Sequence, residues 1–497
     1  MQQLSTFSQA QYMKGLQCPL ALWFSVNRKD LDTRVSASAQ LSIDIRKEIN
    51  NLARQYFPDG TAIVPPSQNM KIAIKQTKEK IQSGARVIYG AAATNPRTGT
   101  QAHIDILRQV DDTDFWDLIE VKTSANLYDH YIQGMAFQYL VFIEAGYKIR
   151  SCILMCINNQ YVRQGEIEPQ GIFTTHDITS KVLNERKKTE SVTDELLQVL
   201  NRKHSFSQTI GSHCKKPHEC SYKTHCWRHV PEYSIFNVFN SKKAESIAQR
   251  INSYKVEDIP NDSIPSKDKI IEISCYKEQR RNVEPVKIKN FLRELKYPLY
   301  YLDYETIAPA IPFYDGTNPY QKLPFQFSLH VQKELESEFQ HIEFIHKEKS
   351  DPRKAFVEYL INVCGNTGSV ICYYASFERN INEKLAKDFS EYATQINDIN
   401  KRIVDLYVPF KNHILYDPRQ NGSTSIKKVL PALINNLSYK DLEIADGEQA
   451  SQAYMKFCKE ELSTDELQKL WKRLSVYCEL DTYAMVQLLD ALRKSSA

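Results

Sequence analysis

Acidic side chains recur in this chain in two widely separated sets, each spaced to cage a cation. The first is Asp105 followed by Glu120-Val121-Lys122. The second is Asp303-Tyr304-Glu305, then Phe377-Glu378, then Tyr477 and Asp481. Carboxylates at such spacings bind hard divalent cations, the common machinery for cleaving phosphodiesters. Between the sets lie Cys214, Cys220 and Cys226, with Cys18 far upstream as a candidate fourth ligand. The chain therefore reads as two catalytic domains joined end to end. At 497 residues it is also too long for one hydrophobic core.

Composition narrows the class. A hydrophobic fraction of 42% and a charged fraction of 25% are ordinary globular values. The net charge of +4 is small, so any groove for nucleic acid must be local. No stretch approaches the ~20 apolar residues needed to span a bilayer. The start, Met1-Gln2-Gln3-Leu4-Ser5-Thr6, lacks the basic and apolar runs of a signal peptide. No membrane association and a cytoplasmic location are expected. In a reducing compartment the eleven cysteines are not expected to form disulfides. Cys152, Cys156, Cys275, Cys364, Cys372, Cys458 and Cys478 read as small buried hydrophobes.

Residues 1–60 read as helical, with a turn at Pro58-Asp59-Gly60. Stretches 86–93, 102–110 and 116–124 read as successive strands, 129–145 as a helix ending at Gly146, and 149–162 as another strand. Residues 183–205 read as a charged helix and 231–290 as a helical connector with linker. A second core is expected from 291, with a strand at 298–304, its hairpin partner at 325–332, and a strand at 370–374 leading into a helix at Glu378. A long helix is expected over 465–495.

In the first set, adjacent strands would point Asp105 and Glu120 to one side, around one cation. Lys122, two residues beyond Glu120, shares its face and can polarise water or offset phosphate charge. Both carboxylates sit in apolar strands, where bare charge is costly to bury. Gln138 lies on a helix that could face the site, and Glu48 is a candidate further metal ligand.

Cys214-x5-Cys220-x5-Cys226 lies in a polar loop, which is not core packing. Four thiolates suit either an iron–sulfur cluster or zinc. His213, His218 and His225 could supply nitrogen ligands to zinc. In the second set, Asp303 and Glu305 are two apart on a strand, and Tyr477 and Asp481 are i and i+4 on a helix. Four converging carboxylates can hold two cations, with Tyr477 orienting the attacking water. Asp405 is a further acidic candidate, and Gly422-Ser423-Thr424-Ser425-Ile426-Lys427-Lys428 a candidate substrate-contacting turn.

The N-terminal pattern resembles the PD-(D/E)xK nucleases, in particular the RecB-like branch that includes the CRISPR-associated iron–sulfur exonucleases. That resemblance covers roughly residues 10–230. It implies a [4Fe-4S] cluster on Cys18, Cys214, Cys220 and Cys226, acting as a structural staple. Two positions depart from the branch: Phe142 stands four residues after Gln138 where Tyr is usual, and Gly90 where an acidic residue is frequent. The C-terminal set resembles the DEDD 3′–5′ exonucleases of the tyrosine subtype, with Glu378 replacing the more usual Asp and Tyr374 where Asn is common. Together the motifs resemble a bacterial family of two-domain proteins that pair these regions.

The expected architecture is α/β throughout. A restriction-endonuclease-like PD-(D/E)xK core with an iron–sulfur staple would occupy 1–230, a helical connector 231–290, and a ribonuclease H-like DEDD exonuclease fold 291–497. The expected function is a nuclease using Mg²⁺ or Mn²⁺ on nucleic acid, with DNA ahead of RNA. Helicases or repair and defence proteins are the candidate partners. The alternative is a catalytically weakened nucleic-acid-binding or iron–sulfur scaffold protein in a repair or defence complex.

Overall fold

The computed structural model describes residues 7–33 and 36–496, the side chains of 36–42 excepted. Met1 to Thr6, and with them the expectation about the N-terminus, lie outside the described residues. The fold is α/β and divides into two compact units. One comprises the chain up to His229 together with Ala310–Pro319; the other comprises Val230–Pro309 and the chain from Tyr320 onward. Among the described residues no helix is long and apolar enough to cross a membrane.

The first unit is built on a six-stranded mixed sheet. Its order is Thr61–Ala62, Val87–Tyr89, Ile106–Gln109, Phe115–Lys122, Lys148–Ile157 and Phe173–Asp177. Phe115–Lys122 is central and buried on both faces from Trp116 to Val121. It runs parallel to Lys148–Ile157, and a parallel pair needs a crossover. Helix Asp129–Glu144 supplies it and stops before Gly146, which adopts a left-handed φ of 93°.

Two strands expected to be continuous are broken. Gly90 has φ 76°, a conformation glycine adopts without strain, and there the first strand bends. Its partner breaks opposite, at Ile104-Asp105. The outer halves, Ala92–Thr94 and Gln101–His103, form a separate two-stranded ribbon. Pairing survives through the bend, with Gly90 N donating to Asp105 O (2.8 Å) and Ile104 N to Ala91 O (2.8 Å). Asp105 therefore sits at a kink, not within a strand. The strand expected over 149–162 ends at Ile157.

Residues 310–319, expected in the second core, belong to the first unit. The Arg163 guanidinium donates to the Pro312 and Phe313 carbonyls at 2.8 and 2.7 Å, and Gly165 N donates to Asp315 Oδ1 at 2.9 Å.

The second unit carries a five-stranded sheet in the order Phe339–Ile345, Leu323–Gln332, Leu299–Ile307, Ser369–Cys372, Ile403–Asp405. The first three strands in sequence form an antiparallel meander, and the last two run parallel to Leu299–Ile307. Leu323–Gln332 is buried at every position, as befits a strand covered on both faces. Helices Arg353–Cys364, Ser376–Asp388 and Ala393–Arg402 pack into one apolar cluster with this sheet. Helix Thr464–Ser496 is tied to the buried strand where Gln326 Nε2 donates to Leu474 O at 2.9 Å. The expected connector, 231–290, is part of this unit and has its own core around Tyr233, Ile235, Ile247, Val256 and Ile273.

Candidate metal centres

In the second unit, strand Leu299–Ile307 presents Asp303 and Glu305 two residues apart, and helix Thr464–Ser496 presents Tyr477 and Asp481 one turn apart. Carboxylate oxygens of Asp303, Glu305 and Asp481 lie within 4.8 Å of one another. Glu378, in the first turn of helix Ser376–Asp388, is fully buried, and its Oε2 has no hydrogen-bond partner.

The electrostatics follow from this crowding. Burial, then Asp481 and neighbouring acids, hold Asp303 and Glu305 well above the usual carboxylate range. Glu378 is pushed up to about 8, chiefly by burial. Asp481 rises only to about 6, because hydrogen bonds from Tyr439 and Tyr477 and the charge of Lys427 oppose its burial. A set of carboxylates this buried and this short of counter-charge fits a divalent cation.

Sequence reasoning missed Tyr439, and had Lys427 as part of a substrate-contacting turn rather than as a neighbour of the acids. The Tyr439 hydroxyl donates to Asp481 Oδ1 at 2.6 Å. Lys427, within the turn expected to contact substrate, stands 5.4 and 5.3 Å from the Tyr439 and Tyr477 ring centres. The Tyr477 phenol is pushed far up by burial and by Asp481, so it remains a proton donor. Asp405 does not join the acidic group. Its Oδ1 accepts from the backbone N–H groups of Tyr374 (2.9 Å) and Tyr407 (3.0 Å). Tyr374 is exposed and held at φ 69°, a region Asn enters more readily than Tyr.

In the first unit, Glu120 is the hub. Lys122 Nζ lies 2.9 Å from its Oε1, and Gln138 Nε2 donates to its Oε2 at 2.9 Å. Asp105 Oδ2 accepts from Val121 N at 2.9 Å, and Asn50 Nδ2 approaches Oδ1 at 3.4 Å. Arg46 Nη2 reaches Asp105 at 3.8 Å and Glu120 at 3.6 Å. Burial alone would raise Glu120, but Lys122, Arg46 and His103 together draw it down to about 2. Asp105 is raised, by burial and by Glu120. The amide oxygens of Asn50 and Gln138 have no hydrogen-bond partner, so two neutral oxygen donors stand beside the carboxylates.

Among the described side chains of helix Ser36–Tyr56, Arg46 and Asn50, one turn apart, reach this pair. Glu48, halfway between them, falls on another face of the helix. Among the described residues it does not come within 4.8 Å of both carboxylates as a ligand set.

Cys18 sits between helices Gln9–Gln17 and Pro19–Asn27. Together with Cys214, Cys220, Cys226 and His213 it lines one cavity, closed by Leu20, Phe24 and Tyr222. Gln17 pins the cysteine loop by donating to the His213 and His218 carbonyls at 2.8 and 2.7 Å. None of the four is in a disulfide, and burial pushes the Cys18 thiol up to about 11. Six of the other seven cysteines are buried, and Cys458 is half-buried.

The chain is thus an α/β protein with two carboxylate centres and one four-cysteine cavity. Residues 300–425, which carry Asp303, Glu305 and Glu378, match a family model described as a domain of unknown function, DUF2779. Over 231 residues the chain is 27% identical to the uncharacterized protein MG366 of Mycoplasma genitalium, covering 42% of this chain and 34% of that protein. Over 286 residues it is 25% identical to the MG366 homolog of Mycoplasma pneumoniae, covering 53% and 42% respectively. The chain spans less than half the length of these curated relatives. No solved structure matches.

Proposed function

We propose that this chain is a metal-dependent nuclease, with DNA as its first candidate substrate and a 3′–5′ exonuclease-like centre in its second unit. The observation that carries the reading is the convergence of Asp303, Glu305 and Asp481 within 4.8 Å, beside the unpartnered carboxylate oxygen of Glu378. The strand order of the second unit, a three-stranded meander followed by two parallel strands, supports a ribonuclease H-like fold. Divalent cations such as Mg²⁺ or Mn²⁺, held by these four carboxylates, would supply charge stabilisation and an activated water. The protein's own part is positioning. Tyr439 and Tyr477 fix the Asp481 carboxylate, the Tyr477 hydroxyl oxygen is left to accept from and orient an incoming water, and Lys427 offsets negative charge.

For the first unit, the mixed sheet and the Asp105, Glu120, Lys122 and Gln138 constellation support a PD-(D/E)xK centre. Asp105, Glu120 and the free amide oxygens would hold one cation, with Lys122 beside it. One observation favours a binding role there instead: Arg46 already reaches both carboxylates. For the cysteine cavity, four free cysteines from two distant stretches of the chain would hold an iron–sulfur cluster as a structural staple, with zinc the alternative because His213 lines the same cavity.

The test is cleavage of end-labelled single- and double-stranded DNA and RNA by the full chain with Mg²⁺ or Mn²⁺. Stepwise loss of nucleotides from 3′ ends, abolished by Asp303→Ala, is expected. A folded chain that binds these oligonucleotides but cleaves none with either metal overturns the reading in favour of a binding module.

A further inference from the structure

Outside both carboxylate centres, the second unit brings two histidines and a glutamate together. His330 and His341 are directly opposite on the antiparallel strands Leu323–Gln332 and Phe339–Ile345. Their rings are 4.6 Å apart and nearly parallel. Glu479 comes from helix Thr464–Ser496, with its Oε1 3.8 Å from His341 Nδ1. One nitrogen of each ring and one Glu479 oxygen all lie within 4.8 Å of one another.

The surroundings are those of a built site. Ser328 Oγ lies 3.0 Å from His341 Nε2, and Thr482 Oγ1 lies 2.8 Å from His330 Nδ1. The two hydroxyls are themselves 2.7 Å apart. One nitrogen of each imidazole is thus engaged by a hydroxyl network and the other is left over, the support that metal-bound histidines characteristically receive. His330 is buried while His341 and Glu479 are partly open to solvent, which gives an ion an entry path.

We propose that His330, His341 and Glu479 form a site for a borderline divalent transition ion such as Zn²⁺, distinct from the acidic centre. Two imidazoles and one carboxylate suit zinc, cobalt or nickel and are poor ligands for magnesium, which prefers oxygen. Three protein ligands leave at least one position open. Because Glu479 lies on the helix that also carries Tyr477 and Asp481, a bound ion would clamp that helix to the hairpin behind the carboxylates.

The test counts metals on the full chain with its cysteine cavity intact. The protein is stripped of loosely held ions with EDTA, equilibrated with Zn²⁺ and desalted, and zinc and iron are measured per chain. Wild type should retain one zinc more than Glu479→Gln or His341→Gln, with iron unchanged. Zinc affinity at this site should fall by at least about tenfold, the low end of what is lost when even a supporting partner is removed. Zn²⁺ but not Mg²⁺ should raise the unfolding temperature of wild type and not of the variants. Glu479 is half exposed, so its replacement leaves folding intact. Equal zinc content and affinity in all three proteins overturns the proposal, as does zinc that disappears in Asp303→Ala but not in Glu479→Gln. Cleavage is not read in either arm, so the outcome is independent of the nuclease reading.

Discussion

Replacing Glu378 with glutamine is expected to stabilise the metal-free chain while slowing any metal-dependent reaction. Glu378 is buried, its Oε2 has no partner, and its carboxyl is lifted from 4.5 to about 8, first by burial and then by Asp405 and Asp481. A folded-state value raised above the unfolded one means that stability is fully present below about pH 4.5. It is lost progressively as pH climbs through about 8. At about 1.4 kcal/mol per pH unit, this one group costs the metal-free fold about 3 kcal/mol at pH 7 and roughly 5 at the plateau. Glutamine cannot ionise and escapes that cost. For a unit of this size the gain at neutral pH corresponds to roughly 5–10 °C in unfolding temperature. The assay is calorimetric or urea unfolding in EDTA from about pH 5 to about pH 8.5, repeated with Mn²⁺. The two proteins should be close at low pH and diverge upward, and Mn²⁺ should stabilise wild type more than Glu378→Gln by binding the folded state. A difference that does not vary with pH, or a variant less stable than wild type in EDTA at about pH 8, would refute the reasoning.

Lys122→Ala is expected to reduce cleavage from the first centre by about 10²-fold or more and to leave 3′-end trimming unchanged; equal loss of both on oligonucleotide gels would show that the centres are not independent. Cys220→Ala should abolish the absorbance near ~400 nm expected of a thiolate-ligated cluster and lower the stability of the first unit, because a lost metal staple is lost folding energy; stoichiometric zinc without iron in wild type would contradict it. Tyr439→Phe removes a hydrogen bond to the charged form of Asp481, whose carboxyl should then rise above about 6. The acid limb of the pH–rate profile should move upward, and an unmoved limb would show that Asp481 does not set it.

The parts legible in the sequence were those fixed by local periodicity. Asp303 and Glu305 share a face because a strand repeats every two residues, and Tyr477 and Asp481 because a helix turn is nearly four. Lys122 meets Glu120 for the same reason, and the Gln138 helix was marked by its own ending at Gly146. What escaped depends on the third dimension. Gly90 bends a strand that reads as continuous, and the kink places Asp105. Arg46 and Asn50 of helix Ser36–Tyr56 reach the carboxylates, and only the docking angle distinguishes their face from that of Glu48. Tyr439 lies in an irregular segment without periodic pattern, and Lys427 in the first turn of the short helix Ile426–Leu433, whose docking beside Asp481 no local spacing encodes. The opposition of His330 and His341 is a matter of strand register, which no local spacing encodes. Residues 310–319 join the first unit through backbone carbonyls accepting from Arg163, a contact that leaves no side-chain signature.

The two carboxylate centres solve the same electrostatic problem in opposite ways. In the first, Arg46 and Lys122 face Asp105 and Glu120, so Glu120 is held at about 2 while only Asp105 is raised. In the second, Lys427 offsets only Glu305 and Asp481 and Lys322 only Glu378, and all four carboxylates, Asp303 included, are raised. Repulsion left uncompensated by side chains must be met by protons or by cations. Chelation should therefore lower the stability of the second unit steeply above neutral pH and leave the first carboxylate pair nearly indifferent. Arg46, conversely, must yield before a cation can sit between Asp105 and Glu120. Arg46→Ala should then raise the first centre's cation affinity if it binds metal, and weaken nucleic-acid binding without changing cation uptake if its role is to hold the substrate backbone.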